Sequence, residues 1–168
     1  EAPMTIWDER DIPALKEQIE TFDEAREAFD GLIAFCDAAV ADPIPVPEEP
    51  NDGVDKGLFS AHNAVATGIA NLGMGYALTG NEAYAGQAGR MLLELARLYP
   101  GWEEHMHPKF KHDKAKWSWQ KLDEAIWLIP SAWGYDLIRN SGVLTAEEKR
   151  KIETDFLLEC AWYVHRNY

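Results

Sequence analysis

Gly80 and Asn81 stand between two apolar runs of helical spacing, and that junction leaves few architectures open to the chain. Ser60 can cap a helix reaching about Leu78, Gly80 can take the left-handed position that ends it, and Asn81 can cap a second helix reaching Tyr99. Helices joined so tightly fold back into an antiparallel hairpin. Two further signals repeat the theme. Thr21 and Glu24 form a T-x-x-E capping box beside Phe22, Ala25, Phe29, Leu32, Ile33 and Cys36, which predicts a helix over about 22 to 41. Thr145 and Glu148 form another ahead of Ile152, Phe156, Leu157, Cys160 and Trp162. Before it, Leu122, Ala125, Ile126, Ile129, Trp133 and Leu137 give an apolar helical face ending near Asn140, with Pro130 expected to kink the helix and Gly142 to terminate it. Strand signals are nearly absent. The expected fold is all-α, built from antiparallel helix hairpins that stack because neither hairpin can bury its own face.

Two segments fall outside this pattern. Residues 42–58 carry Pro43, Pro45, Pro47 and Pro50, which exclude helix and favour an extended arm across the surface. Residues 101–121 form a loop whose second part, HMHPKFKHDKAKWSWQK, holds three histidines, five lysines and two tryptophans within a chain of net charge −13. Cations interleaved with indole rings suit a ligand that is both anionic and ring-shaped, such as an acidic sugar polymer. A solvated loop kept soluble by its lysines is the plain alternative. Nucleic acid is not expected, since 29 Asp and Glu residues repel a phosphate backbone. A membrane span is not expected either, because no stretch approaches the roughly 20 apolar residues it requires. Cys36 and Cys160 lack metal spacing and sit in apolar patterns, so they read as buried thiols. His105, His107 and His112 have one adjacent carboxylate, Asp113, and give no expectation of a metal. No nucleotide motif is present, and no cofactor is expected. The chain starts at Glu1 without a signal peptide, as a processed or excised protein would.

The segments HNAVATGIANLGMGYALTGNEAYAGQAGRMLLELARLYPG and WQKLDEAIWLIPSAWGYDLIRNSGVLTAEEKRKIETDFL, roughly residues 58 to 100 and 117 to 160, resemble the N-terminal helical part of heparinase II/III-like and alginate-lyase-like polysaccharide lyases. Within the first block ALTGNEAYA is a generic helix-turn-helix phrase; QKLDEAIWLI through YDLI, SGVLT and KIE in the second are much more specific. The resemblance implies part of an incomplete α/α toroid, with the rest of the toroid and a β-sheet domain following. It also implies β-elimination on a uronic-acid glycan, the carboxylate neutralised by Asn or His while Tyr and His exchange protons. These catalytic groups are expected beyond Tyr168. IWDERDIPALKEQI resembles the opening of such lyases after their signal peptide, which implies a secreted or periplasmic protein.

On that reading the candidate substrate-binding residues are Gln120, Trp117, Trp119, His62, Asn63 and Lys116. Gln120 precedes the LDEA block where the family carries a cleft-facing polar residue, or it makes an N-terminal helix contact. His62 and Asn63 reach the sugar from an inner helix, or cap it. Trp117 and Trp119 share one side of an extended segment and form a stacking platform, or they pack beneath the loop. Asp123 and Glu124 are too close on a helix to flank one bond and read as acids favouring the helix dipole. Tyr163, His165, Arg166, Asn167 and Tyr168 carry chemistry suited to elimination but lie where helices fray. The competing reading is a helical-repeat scaffold: Leu72, Gly73, Tyr76 and Ala85 are spaced as in a tetratricopeptide unit, although the phrase does not recur at a period of about 34 residues.

Overall fold

A computed structural model describes residues 5–8, 10–51, 55–106 and 113–167. Among them the protein is all-α apart from one two-residue ladder, β1 (His105–Met106) antiparallel to β2 (Lys114–Ala115). The helices are α1 (Asp11–Thr21), α2 (Asp23–Ala41), α3 (Lys56–Thr79), α4 (Glu82–Leu98), α5 (Lys121–Ile138), α6 (Ala146–Lys151) and α7 (Glu159–Arg166). A π-helical stretch, Ile152–Leu158, joins the last two into one helical rod.

Local chemistry explains most boundaries. Gly80 has φ of 74° and its N–H closes on the Tyr76 carbonyl at 2.7 Å, while Asn81 caps α4 by accepting from the Ala83 N–H at 3.1 Å. The Thr145–Glu148 capping box forms in full, and Gly142 turns the chain at φ 87°. Two expected caps do not form. Thr21 is the last residue of α1, so its hydroxyl donates to the Glu17 carbonyl at 2.7 Å and α2 starts without a side-chain cap. Ser60 lies inside α3, where its hydroxyl donates to the Lys56 carbonyl. The cap is Asp55, whose carboxylate accepts from the Gly57 and Leu58 N–H groups at 2.7 and 3.1 Å. Residues 56–58 therefore belong to a helix and not to the arm. α5 continues through Pro130.

The helices pack as two parallel rows. Trp127 on α5 donates its indole N–H to the His62 carbonyl on α3 at 3.1 Å, and one register further on Gly134 meets Ile69. Partner numbers rise together, so α3 and α5 run side by side in the same direction. They touch closely enough that a Cβ on Gly134 would sit 2.3 Å from the Ile69 carbonyl oxygen. In the second row Gly89 of α4 faces Leu144 and Tyr99 stacks edge-on with Phe156 at 5.8 Å, so α4 runs parallel to the rod from Ala146. The chain thus lays one antiparallel hairpin beside another, as the sequence predicts. Trp117, Trp127, Tyr99, Phe156, Leu92 and Leu95 fill the core between rows.

The two edges of this array differ. Cys36 of α2 and Ile44 of the arm cover the far side of α3, against Gly75 and Gly68. On α5, the face turned away from α3 presents Leu122, Ile126, Ile129 and Trp133, between 36% and 61% exposed, at the 4-3-4 spacing of a helix-packing stripe. Cys36 and Cys160 are buried free thiols, as expected. No helix among the described residues is long and apolar enough to cross a membrane.

Candidate functional site

The proline-rich arm offers carbonyls in excess of N–H groups, and aromatic side chains answer them. The Trp102 indole donates to the Glu48 carbonyl, His62 Nε2 to that of Glu49 and His105 Nε2 to that of Asn51, each at 2.9 Å. The Asn51 N–H in turn donates to the Trp117 carbonyl at 2.6 Å. The arm is thereby tied to the 113–120 segment. Where these elements meet the start of α3, a depression of about 250 Å³ opens, lined by Asn51, Asp55, Lys56, Phe59, Trp119, Gln120 and Asp123. Two aromatic faces, two amides and a cation among short acids match a pyranose ring, which offers apolar C–H faces and a rim of hydroxyls. A larger groove of about 690 Å³ between α4 and α6 lacks aromatic residues, and within it Arg97 pairs with Glu94 at 2.5 Å.

Of the residues expected to bind substrate, Trp119 and Gln120 come together at this depression. Gln120 donates from Nε2 to Asp123 Oδ1 at 3.0 Å, using one of the several positions its amide has. Trp117 does not share a platform with Trp119. Residues 116–120 form consecutive bends, so alternate side chains do not point the same way, and Trp117 is fully buried. It stacks on Phe59 at 5.5 Å and meets Trp127 at 5.3 Å. Lys116 also turns inward: only 8% exposed, it holds its ammonium 4.6 Å from the centre of the Tyr99 ring. Asn63 faces its own helix, donating to the Phe59 carbonyl at 2.9 Å. His62 is enclosed by Trp102, Trp117 and Trp127 and neither caps a helix nor meets solvent.

The positive tract is largely compensated where it is described. Lys114 pairs with Glu104 at 2.7 Å and Lys121 with Asp113 at 3.5 Å. Lys109, Lys111, His107 and His112 lie outside the described residues, as does Tyr168. Tyr163 is buried and donates to Glu104 at 3.0 Å, and Trp162 packs edge-on against His165.

The sequence gives little hint of the group beneath the site. Glu124, expected as a first-turn acid favouring the helix dipole, is fully buried. Its Oε1 accepts the backbone N–H groups of Lys116 and Trp117, the latter at 2.9 Å. Oε2 accepts from the Tyr99 hydroxyl at 3.2 Å and the Cys160 thiol at 3.6 Å. Burial pushes the Glu124 carboxyl above the usual range, against the pull of the two backbone donors, and burial likewise raises the Tyr99 hydroxyl and the Cys160 thiol. Asp123, beside it, accepts from the Ser118 hydroxyl at 2.7 Å.

His62 gives a pH prediction. Burial lowers its pKa below 6.5, only partly offset by the contact with the Glu49 carbonyl. The unfolded chain then binds the proton more readily than the native one, so this contribution to stability is complete above pH 6.5 and is lost as the pH falls below it. Urea unfolding between pH 8 and 5 is expected to show stability falling by up to about 1.4 kcal/mol per pH unit more steeply in the wild type than in His62→Gln. Carboxylates common to both cancel in that difference. Equal slopes would refute the assignment.

Over 162 residues, 96% of its length, the chain is 33% identical to an exo-oligoalginate lyase of Saccharophagus degradans. Over 111 residues, 66% of its length, it is 32% identical to an alginate lyase of Stenotrophomonas maltophilia. It spans 22% and 14% of those proteins, about a fifth or less of each. No family model matches the chain. These likenesses support a polysaccharide lyase family for the chain.

Proposed function

We propose that this chain is the N-terminal helical segment of a lyase that cleaves a uronic-acid glycan by β-elimination, on the heparinase II/III-like and alginate-lyase-like plan. The observation that carries the reading is the 33% identity to an exo-oligoalginate lyase over nearly the whole chain. In such a reaction a base removes the proton beside the uronate carboxylate, donors neutralise that carboxylate to stabilise the developing carbanion, and the glycosidic oxygen leaves with a proton. The proposed contribution of residues 1–168 is ring binding at the depression beside Trp119 and Gln120. The base, acid and carboxylate neutraliser come from residues beyond Tyr168, within the remainder of an α/α toroid followed by a β-sheet domain. Two observations favour this division. The aligned part is 22% of the Saccharophagus protein, and α5 presents an apolar stripe where a further helix of a parallel row would lie. A secreted or periplasmic location belongs to the same proposal.

The test is absorbance at about 230 nm, where the unsaturated uronate product of proton abstraction absorbs, after mixing acidic polysaccharides with the chain and with a form extended past Tyr168. Product from the extended form alone is the expected result. Silence from both, with no glycan retained by either, would refute the reading and leave a helical scaffold without catalysis.

A further inference from the structure

We infer that Glu124 is a positioning residue whose carboxylate bends residues 116–120 back onto α5, so that Trp119 and Gln120 are presented at the depression. Both oxygens are engaged, and their donors come from three places. Lys116 and Trp117 supply consecutive backbone N–H groups from the loop, Tyr99 a hydroxyl from the turn after α4, and Cys160 a thiol from α7. A buried carboxylate is costly, and an apolar side chain of similar size would fill the same space more cheaply. What such a side chain lacks is an acceptor for two successive amides at one point, which fixes the direction of the loop as well as its distance. Asp123 completes the hold one residue away, through Ser118 and Gln120. The clamp therefore grips 116, 117, 118 and 120, on both sides of Trp119. Trp119 is partly exposed at the depression while Trp117 is wholly buried beneath it.

The presentation of Trp119 and Gln120 is a property of the fold; its consequence for glycan binding rests on the proposed function. Glu124→Gln keeps one carbonyl acceptor but sets an NH2 group among the donors on the other side. In nitrogen-resolved NMR of the whole chain, the amides of Lys116 and Trp117 are expected to exchange at least about tenfold faster, the cost of losing a charge-assisted acceptor. The Trp119 indole and Gln120 side-chain signals should shift or broaden while the amides of α3 and α4 keep their positions. Glu124→Ala should enlarge these effects, and if it fails to fold, the glutamine variant decides. Affinity for an alginate oligosaccharide is expected to fall about tenfold in Glu124→Gln while the chain stays folded at the assay temperature. Unmoved Trp119 and Gln120 signals, or exchange at 116 and 117 that merely follows global stability, would overturn the inference. If the wild type binds no oligosaccharide, the proposed function fails on that arm, while the exchange and side-chain signals still decide the role of Glu124.

Discussion

Gly134→Ala is expected to destabilise the chain by about 3 kcal/mol, at the upper end of what overpacking costs. The added Cβ would stand 2.3 Å from the Ile69 carbonyl oxygen and 2.5 Å from Ile69 Cγ2. A flexible side-chain tip can turn aside; a carbonyl inside a helix cannot move without breaking its own hydrogen bond. Relief requires α3 and α5 to separate, and the cost spreads along the seam where Gly73 faces Gly134 and Trp127 bonds to His62. Gly31 of α2 is the control, since its Cβ would meet nothing within 4 Å. Gly31→Ala should stabilise by about 0.5 to 1 kcal/mol through helix propensity alone. Urea unfolding of both variants reads the contrast. Equal small effects at both positions would mean that α3 and α5 do not approach as described.

The hairpins are legible in the sequence because their signals are local. Gly80, Asn81, Thr145 and Glu148 act on backbone groups within four residues, so spacing alone announces them. Where a local signal has two competing uses the sequence misleads: the Thr21 hydroxyl satisfies the preceding turn, and Asp55 takes the capping role from Ser60. Pattern and resemblance single out Trp119 and Gln120, which line the depression, and equally Trp117 and Lys116, which are buried. Pairing Trp117 with Trp119 by alternation presumes a straight strand. Here Glu124 bends the segment by accepting main-chain N–H groups, a partnership that leaves no mark in side-chain spacing. The basic tract misleads for another reason. Counting charges along the chain misses Glu104, which reaches Lys114 across the ladder, and Tyr99, whose ring lies under Lys116.

Charging the outward face of α5 is expected to have opposite consequences in the short chain and in a longer form. The double substitution Ile126→Glu with Ile129→Lys removes two large apolar groups that are 53% and 47% exposed in residues 1–168. In that chain, unfolding stability should change by less than about 1 kcal/mol, within the range of surface substitutions, and self-association seen by sedimentation should fall. In a form extended past Tyr168, the proposed next helix of the α3–α5 row covers Leu122, Ile126, Ile129 and Trp133. The same pair then places two charges in an apolar contact and should cost several kcal/mol, roughly the penalty of burying unpaired charge, or prevent folding. The comparison rests on the difference in edges: α2 and the arm close the α3 side, where Gly75 meets Cys36 and Gly68 meets Ile44, while the α5 side presents apolar side chains to solvent. A repeat array needs a capped end on each side. If the extended form tolerates both charges as readily as the short chain does, the stripe is not covered from within the same protein. The exposed row would then have to meet a second molecule, and loss of self-association in the short chain would be the measurement that says so.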